Sequence, residues 1–337
     1  MNSMERVMAA VAFGQPDRVP VIAQVFGHAA IVAGVPLDEF TRDGELLAWC
    51  QLKALELYRY DAVFSVMDVN VETEAMGSVL NYHKNQYATI EAYALSKEDN
   101  WGSLNPPDPK RAGRMPEMLK ALRILRNELS DETPVVGCVM GPLTLTTQLL
   151  GMETALYLAI DDADRFGRLM DLATEVVIRF GVAQMQAGAH LPIVFDPSAS
   201  PAVVPHQFFR EFELPRLKKL FESFKQAGAA VNWLNIAGPV ESILPYYPDA
   251  GVNIANFDYC VNPHVASEKL PKTCLDGNIK PLSFVESAPD EVTAESDMLL
   301  KSFAGRGGFI LSSGCEIPPE SLQENVAAMV MTARNTR

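Results

Sequence analysis

Eight short apolar runs, each followed by a stretch with helical periodicity, predict an α/β fold: a single (β/α)8 TIM barrel with an insertion after the second strand. Two further observations support it. The chain has 337 residues, 48% hydrophobic and 21% charged, which is too apolar for disorder and enough for one large core. Several of the runs are also apolar at successive positions, as parallel strands covered on both faces by helices require.

The elements follow in order. Residues 4–14 carry apolar groups at helical spacing, and Gly14-Gln-Pro-Asp17 ends that helix with turn chemistry. The first strand is expected at 19–26. Gly27 and His28 follow, then helical material through Tyr60 with acidic start signals at Asp38 and Asp43. The second strand is expected at 61–68. Residues 69–132 form the long irregular part, the expected insertion or lid, with a loop at 101–108 and a helix at 115–129. Six more strands are expected at 133–140, 190–196, 229–235, 252–258, 273–278 and 308–313, each with its helical partner, such as 205–227 or 319–334. The whole chain, 1–337, is read as one domain.

Charge and cysteine content narrow the function. A formal charge of −14 leaves no run of Lys and Arg for a phosphate backbone or an anionic bilayer, so neither nucleic acid nor membrane is an expected partner. Cys50, Cys138, Cys260, Cys274 and Cys315 are odd in number and contain no C-x-x-C pair, which argues against a disulfide framework. The first ten residues lack the apolar region of a signal peptide, and no segment has the length and apolarity of a membrane span. The expected location is cytoplasmic and the expected ligand a small molecule.

In a barrel of this type the chemistry sits where strands end and helices begin. Those positions are His28, Asp68, Met140 to Pro142, Asp196, Asn232, Asn235, Asp258, Asp276, Asn278, Ser312, Ser313, Cys315 and Glu316. The rim is rich in amides and carboxylates.

Motifs along nearly the whole chain carry a specific resemblance: Gly14-Gln-Pro-Asp-Arg-Val-Pro20, Val71-Glu-Thr-Glu-Ala-Met-Gly77, Asp196-Pro-Ser-Ala199, Leu214-Pro-Arg-Leu-Lys218, Leu275-Asp-Gly-Asn-Ile-Lys-Pro281 and Ser313-Gly-Cys-Glu-Ile-Pro-Pro319. The chain resembles the uroporphyrinogen decarboxylase and corrinoid methyltransferase superfamily. The resemblance implies a TIM barrel and a one-carbon or decarboxylation reaction in its mouth.

Members that methylate a thiol carry a zinc site, written His-x-Cys-Gly after the fifth strand with a further Cys after the eighth. Zinc holds the sulfur as its nucleophilic thiolate. Here the fifth-strand motif is Asn235-Ile-Ala-Gly238, so Asn235 replaces the His, Ala237 replaces the Cys, and Cys315 remains. No metal is therefore expected. A neutral amine offers its lone pair without a metal, which directs the expectation to N5 of tetrahydrofolate as acceptor and methylcob(III)alamin, free or on a separate corrinoid protein, as donor.

In this reading Asn235, Asp196 and Asp68 are the catalytic residues. Asp196, Asn235 and Asn278 hold the pterin, and Asp68 or Asp196 takes the proton from N5. Asn232, Asp258, His28, Ser312 and Cys315 complete the substrate-binding set. Asp196 before Pro197 also fits a helix cap, His28 a structural partner, Cys315 a packed thiol, and Glu74 either a site residue or a buried ion pair. Two enzyme alternatives stay open, a methylcobamide:thiol methyltransferase and a uroporphyrinogen decarboxylase-like enzyme. The second asks for an Arg-rich segment after the first strand, where this chain has Phe26-Gly-His-Ala-Ala-Ile-Val-Ala-Gly34.

Overall fold

The computed structural model describes residues 1–96, 101 and 104–336, so part of the region 97–103, including Gly102 and Ser103 of the expected loop, lies outside the described residues. Nine strands are named in chain order: β1 Val63–Ser65, β2 Val79–His83, β3 Gln86–Ala92, β4 Val135–Met140, β5 Leu191–Phe195, β6 Trp233–Asn235, β7 Ile254–Asn256, β8 Cys274–Ile279 and β9 Phe309–Ser313. Seven of them form one curled sheet in the order β1-β4-β5-β6-β7-β8-β9. Every neighbour in that sheet is parallel. These are the second to eighth expected strands.

The first expected strand, 19–26, is the exception. It makes isolated parallel bridges, Val21 to Leu311 and Val25 to Ile317, instead of a regular strand. Local hydrogen bonding explains this. Pro20 has no N–H to give to a ladder, the N–H of Val21 goes to the buried Asp61 carboxylate at 2.8 Å, and that of Val25 turns back to the carbonyl of Ala23 at 2.8 Å. The segment still runs beside β9, with Leu311 donating to Pro20 and Ile22 donating to Leu311, while Asp61 donates its backbone N–H to Val21. Arg6 and Arg18 close on the Asp61 carboxylate at 2.8 and 2.7 Å, which neutralises a charge that burial alone would not tolerate.

Alternation along each strand sorts side chains into two packed layers. Phe64, Val136, Ile193, Trp233, Ile254, Cys274 and Ile310 fill the inside of the curled sheet with Val7 and Ala10 of the helix Ser3–Val11. Val63, Val135, Val194, Leu234, Ala255, Leu275 and Leu311 pack outward against the helices. Trp233 points in and Leu234 points out, so Asn235 points in again, at the end where the strand stops.

Between β1 and β4 lie the short helix Val71–Ala75, the antiparallel hairpin β2–β3 and the helix Met115–Leu129. The hairpin matters because Tyr87 of β3 reaches the ends of the parallel strands. The helix Gly44–Tyr58 starts where Asp43 accepts from the N–H groups of Glu45 and Leu46, the role its sequence position predicts.

Candidate functional site

A cavity of about 250 Å³ opens at the carboxyl ends of the strands. Phe26, Val66, Val69, Met140, Phe195, Pro197 and Ala237 give it an apolar wall. Its polar contributors are Asp68, Tyr87, Asn235, Cys315 and Glu316, and no Lys, Arg or His is among the described residues lining it. A larger groove of about 740 Å³, around Asn262, His264 and Arg306, contains no residue of the sheet and none of the expected site residues.

Five of the expected strand-end positions meet at this cavity: Asp68, Met140, Asn235, Cys315 and Glu316. Asp68 is a fixed carboxylate. Arg114 contacts its two oxygens at 2.6 and 3.0 Å, Asn70 donates its backbone N–H at 2.8 Å, and the same guanidinium reaches Glu74 at 2.6 Å. Glu74 is thereby an ion-pair partner, with Tyr82 donating to its other oxygen. Asn235 is buried and donates Nδ2 to Gln24 at 3.1 Å. The Cys315 thiol is pushed up to about 12 by burial, then by the charges of Asp258 and Glu316, so it stays protonated at neutral pH.

Glu316 is the carboxyl at the cavity that burial brings close to neutrality. Burial pushes its carboxyl up to about 7, against the opposing hydrogen bond from Tyr87. The Tyr87 hydroxyl donates to Oε1 of Glu316 and accepts the N–H of Gly27 at 2.8 Å. A carboxyl balanced near neutrality inside a cavity can take a proton from a ligand and release it again. Glu72, which accepts the N–H of Met140 at 2.9 Å just behind the wall, is likewise raised to about 7 by burial.

The remaining expected residues are placed elsewhere. Asp196 accepts from the N–H groups of Leu143 and Thr144 at 3.3 and 2.8 Å and from the Thr144 hydroxyl at 2.6 Å, so it serves the start of the helix Pro142–Leu150. Burial, then the charge of Asp196, raises the carboxyl of its buried neighbour Glu213 well above the usual carboxylate range. Asn278 donates to the carbonyls of Asp258 and Val261 at 3.1 and 2.9 Å, and Asp258 accepts the N–H groups of Gly238 and Tyr259. Asn232 precedes β6, at the opposite end of the strand from the cavity, and bonds to Gly251 and Asn253. His28 is buried between the Pro319 carbonyl and the Tyr58 hydroxyl, and Ser312 donates to the Ile22 carbonyl at 2.7 Å. Each of these satisfies a buried or loop polar group, which is why none lines the cavity.

Tyr87, Arg114 and Gln24 are site residues that the strand-end rule does not reach. Tyr87 comes from an antiparallel hairpin and Arg114 from the start of a helix. Gln24 carried a signal, a lone amide inside an apolar run.

The zinc pattern can be tested on the same geometry. Asn235, Ala237 and Cys315 do converge on one cavity, so the positions match. Their chemistry does not: an amide, a methyl and one protonated thiol lack the donor set of such a site. Among the described residues no group of three His, Cys, Asp or Glu side chains is placed to hold a metal ion.

Comparison with known proteins agrees with the fold. Residues 2–336 match the family described as uroporphyrinogen decarboxylase (URO-D). The methylcobamide:CoM methyltransferase MtaA of Methanosarcina barkeri is 29% identical over 335 residues, covering 96% of this chain and 95% of the relative. A uroporphyrinogen decarboxylase of Thermus thermophilus is 29% identical over 301 residues, 87% and 85% of the two chains. Among solved structures, a methyltransferase from Methanosarcina mazei superposes with a TM-score of 0.90 at 28% identity, over 99% of this chain and 98% of the other.

Proposed function

The chain belongs to the uroporphyrinogen decarboxylase family, and from that premise we propose that it is a corrinoid-dependent methyltransferase whose acceptor is a small thiol. Relatives aligned over nearly the whole chain act on methylcobamide and CoM, which favours the thiol alternative over tetrahydrofolate. The tetrahydrofolate expectation, which rested on the lost zinc ligands and on the Asp and Asn side chains of the rim, gives way to the thiol alternative on that ground. The observation that carries the present reading is Glu316, a carboxyl near neutrality inside an apolar cavity at the strand ends.

A thiol must lose its proton to become a nucleophile. Where relatives of the zinc pattern would use a metal, this chain offers Glu316, with Tyr87 fixing the orientation of its carboxyl group. The methylcobamide, carried in by a separate corrinoid protein, is the donor substrate: as the sulfur–methyl bond forms, its cobalt–carbon bond breaks with the electron pair staying on the corrinoid, which departs as the cob(I)amide. The chain's own part is to align sulfur and methyl carbon, keep water out with Phe26, Val66, Met140 and Phe195, and take the S–H proton on Glu316. The reaction is read as metal-free.

Decarboxylation of uroporphyrinogen is disfavoured by a cavity that combines Asp68 and Glu316 with no lining cation among the described residues, since a substrate with many carboxylates needs Arg or Lys to hold it. Within the same reading, segment 20–25 acts as the eighth stave of a (β/α)8 barrel, the β2–β3 region is an insertion, and residues 1–337 are one domain. Five unpaired cysteines fit a reducing, cytoplasmic setting. Among the described residues no helix is long and apolar enough to cross a membrane.

The test is anaerobic mixing with methylcob(III)alamin and either a thiol or tetrahydrofolate while the corrinoid absorbance is followed. Thiol-dependent demethylation is expected. Folate-dependent demethylation without thiol activity would restore the nitrogen acceptor.

A further inference from the structure

Gly314, Cys315 and Glu316 form a short loop between two fixed points. At its start the Gly314 N–H is donated to the Ile279 carbonyl at 2.8 Å, and just past its end the Ile317 N–H is donated to the Gln24 carbonyl at 2.9 Å. Cys315 and Glu316 line the cavity from this loop. The chain enters it through Ser313, the last residue of β9.

The segment 19–26 runs beside β9, and Ile22 gives its N–H to the Leu311 carbonyl at 3.0 Å. In a regular parallel ladder the next bond would run from the Gln24 N–H to the Ser313 carbonyl. The turn of the Val25 N–H back to Ala23 breaks that rhythm, and the Gln24 side chain takes over: its Nε2 reaches the Ser313 carbonyl at 3.4 Å. Asn256, at the end of β7, brings Nδ2 to the same oxygen at 3.4 Å and to Oδ2 of Asp276 at 2.9 Å. Each contact to Ser313 is long, so neither alone fixes the carbonyl. Two amides from different staves on one oxygen do restrict where it can sit.

A backbone carbonyl only accepts, so both amides must present nitrogen to it. Oε1 of Gln24 then faces Asn235 and accepts from its Nδ2 at 3.1 Å. One buried polar layer therefore joins Asp276, Asn256 and Gln24 to Asn235, the member that lines the cavity.

We infer that Gln24 and Asn256 are positioning residues for the reaction: their amides clamp the Ser313 carbonyl and so hold the loop from which Cys315 and Glu316 face the ligand, while Asp276 anchors the Asn256 amide. The inference rests on the proposed function, in which Glu316 takes the S–H proton. Gln24 and Asn256 stand behind the cavity rather than in its lining, so replacing them leaves the reacting groups present and changes only how they are held.

The experiment titrates Glu316 in the full chain, without thiol or corrinoid, by difference infrared spectroscopy, with the carboxyl band assigned by its loss in Glu316→Gln. Asn256→Leu keeps the branched shape and removes both Nδ2 contacts. With the loop released, the Tyr87 bond that favours the charged carboxyl weakens, and the Glu316 titration is expected to move up by about 0.5 or more. The kcat/KM for thiol methylation is expected to fall about tenfold or more, with its pH profile displaced in the same direction. Gln24→Leu removes the other amide, is expected to act the same way, and carries the test if Asn256→Leu does not fold.

Asn325→Leu is the matched control. Asn325 is equally buried and donates Nδ2 to the carbonyls of Phe284 and Ser287 at 3.1 and 2.8 Å, but its helix, Gln323–Asn335, gives no residue to the cavity. Its urea midpoint is expected to drop with the Glu316 titration unmoved. An unmoved titration in a folded Asn256→Leu or Gln24→Leu variant, or an equal displacement in Asn325→Leu, would overturn the inference. Displaced titrations in a chain whose parent transfers no methyl group sink only the proposed function, and methyl transfer by the parent with unmoved titrations in the variants sinks only this inference.

Discussion

The hydroxyl of Tyr87 donates to the carboxyl of Glu316, and through that contact the hairpin β2–β3 is tied to the loop after β9, 229 residues away in the chain. The pair supplies the cavity with its proton-accepting group, and the Tyr87 hydrogen bond opposes the burial that raises the carboxyl to about 7.

The rate should therefore follow Glu316. With the carboxyl at about 7, kcat/KM for methyl transfer is expected to rise with pH along an apparent pKa near 7. Glu316→Gln should lower the rate by about 10²–10⁴-fold, the usual worth of general base catalysis, and flatten the profile. Tyr87→Phe removes a hydrogen bond that favours the charged form, so its profile should move to higher pH. A Glu316→Gln enzyme with an unaltered pH profile would show that another group takes the proton.

The same shift has a stability consequence of opposite sense. The folded carboxyl titrates near 7 and the ordinary carboxyl near 4.5, so the unfolded chain binds fewer protons between these values. The contribution of Glu316 is thus fully present below about pH 4.5 and lost as pH rises through 7. Glu72 and Asp276, both raised to about 7 by burial, act with the same sign. Urea midpoints at pH 5 and pH 8 should differ less in Glu316→Gln than in the parent chain.

Arg114 is buried against Asp68 and Glu74, with side-chain exposures of 7% for the arginine and 1% for Asp68. Arg114→Leu leaves an uncompensated buried carboxylate and should cost about 3–5 kcal/mol in chemical unfolding, while Asp131→Asn, whose carboxylate is 81% exposed beside Arg126, should change stability little. Similar midpoints for the two variants would show that the Asp68 cluster contributes no more than a surface pair.

Gly27 has no room for a side chain. An added Cβ would lie 2.5 Å from the Tyr87 hydroxyl and 2.9 Å from a methyl of Leu37. Gly27→Ala should displace Tyr87 from Glu316, cost about 1–3 kcal/mol as overpacking does, and move the pH profile in the direction of Tyr87→Phe. A destabilised variant with an unmoved profile would separate packing from the Tyr87 contact.

The converged positions of the lost zinc pattern offer a gain-of-function test. Replacing Asn235→His and Ala237→Cys together supplies two donors at the cavity that already holds Cys315. The double variant is expected to retain zinc in elemental analysis and the parent chain to retain substoichiometric amounts. Stoichiometric zinc in the parent would overturn the metal-free reading.

The sequence alone determined the seven strands of the parallel sheet, because buried parallel strands must be apolar and must be punctuated by turns, and both marks are local. It also placed Asn235, Asp68, Cys315 and Glu316 at strand ends. It could not say that the run 19–26 would form bridges rather than a strand, since that depended on Asp61 taking the Val21 N–H from forty residues away. Nor could it separate Asp196, Asn278, Asp258, His28 and Ser312, which serve buried backbone groups, from Asn235, which faces the cavity: all are polar residues near strand ends, and only the third dimension decides which hydrogen bonds are already made. Tyr87, Arg114 and the orientation of the Asn235 amide belong to tertiary structure for the same reason. A side chain's type is written locally, but the partner that fixes its charge and direction is brought by folding from a distant part of the chain.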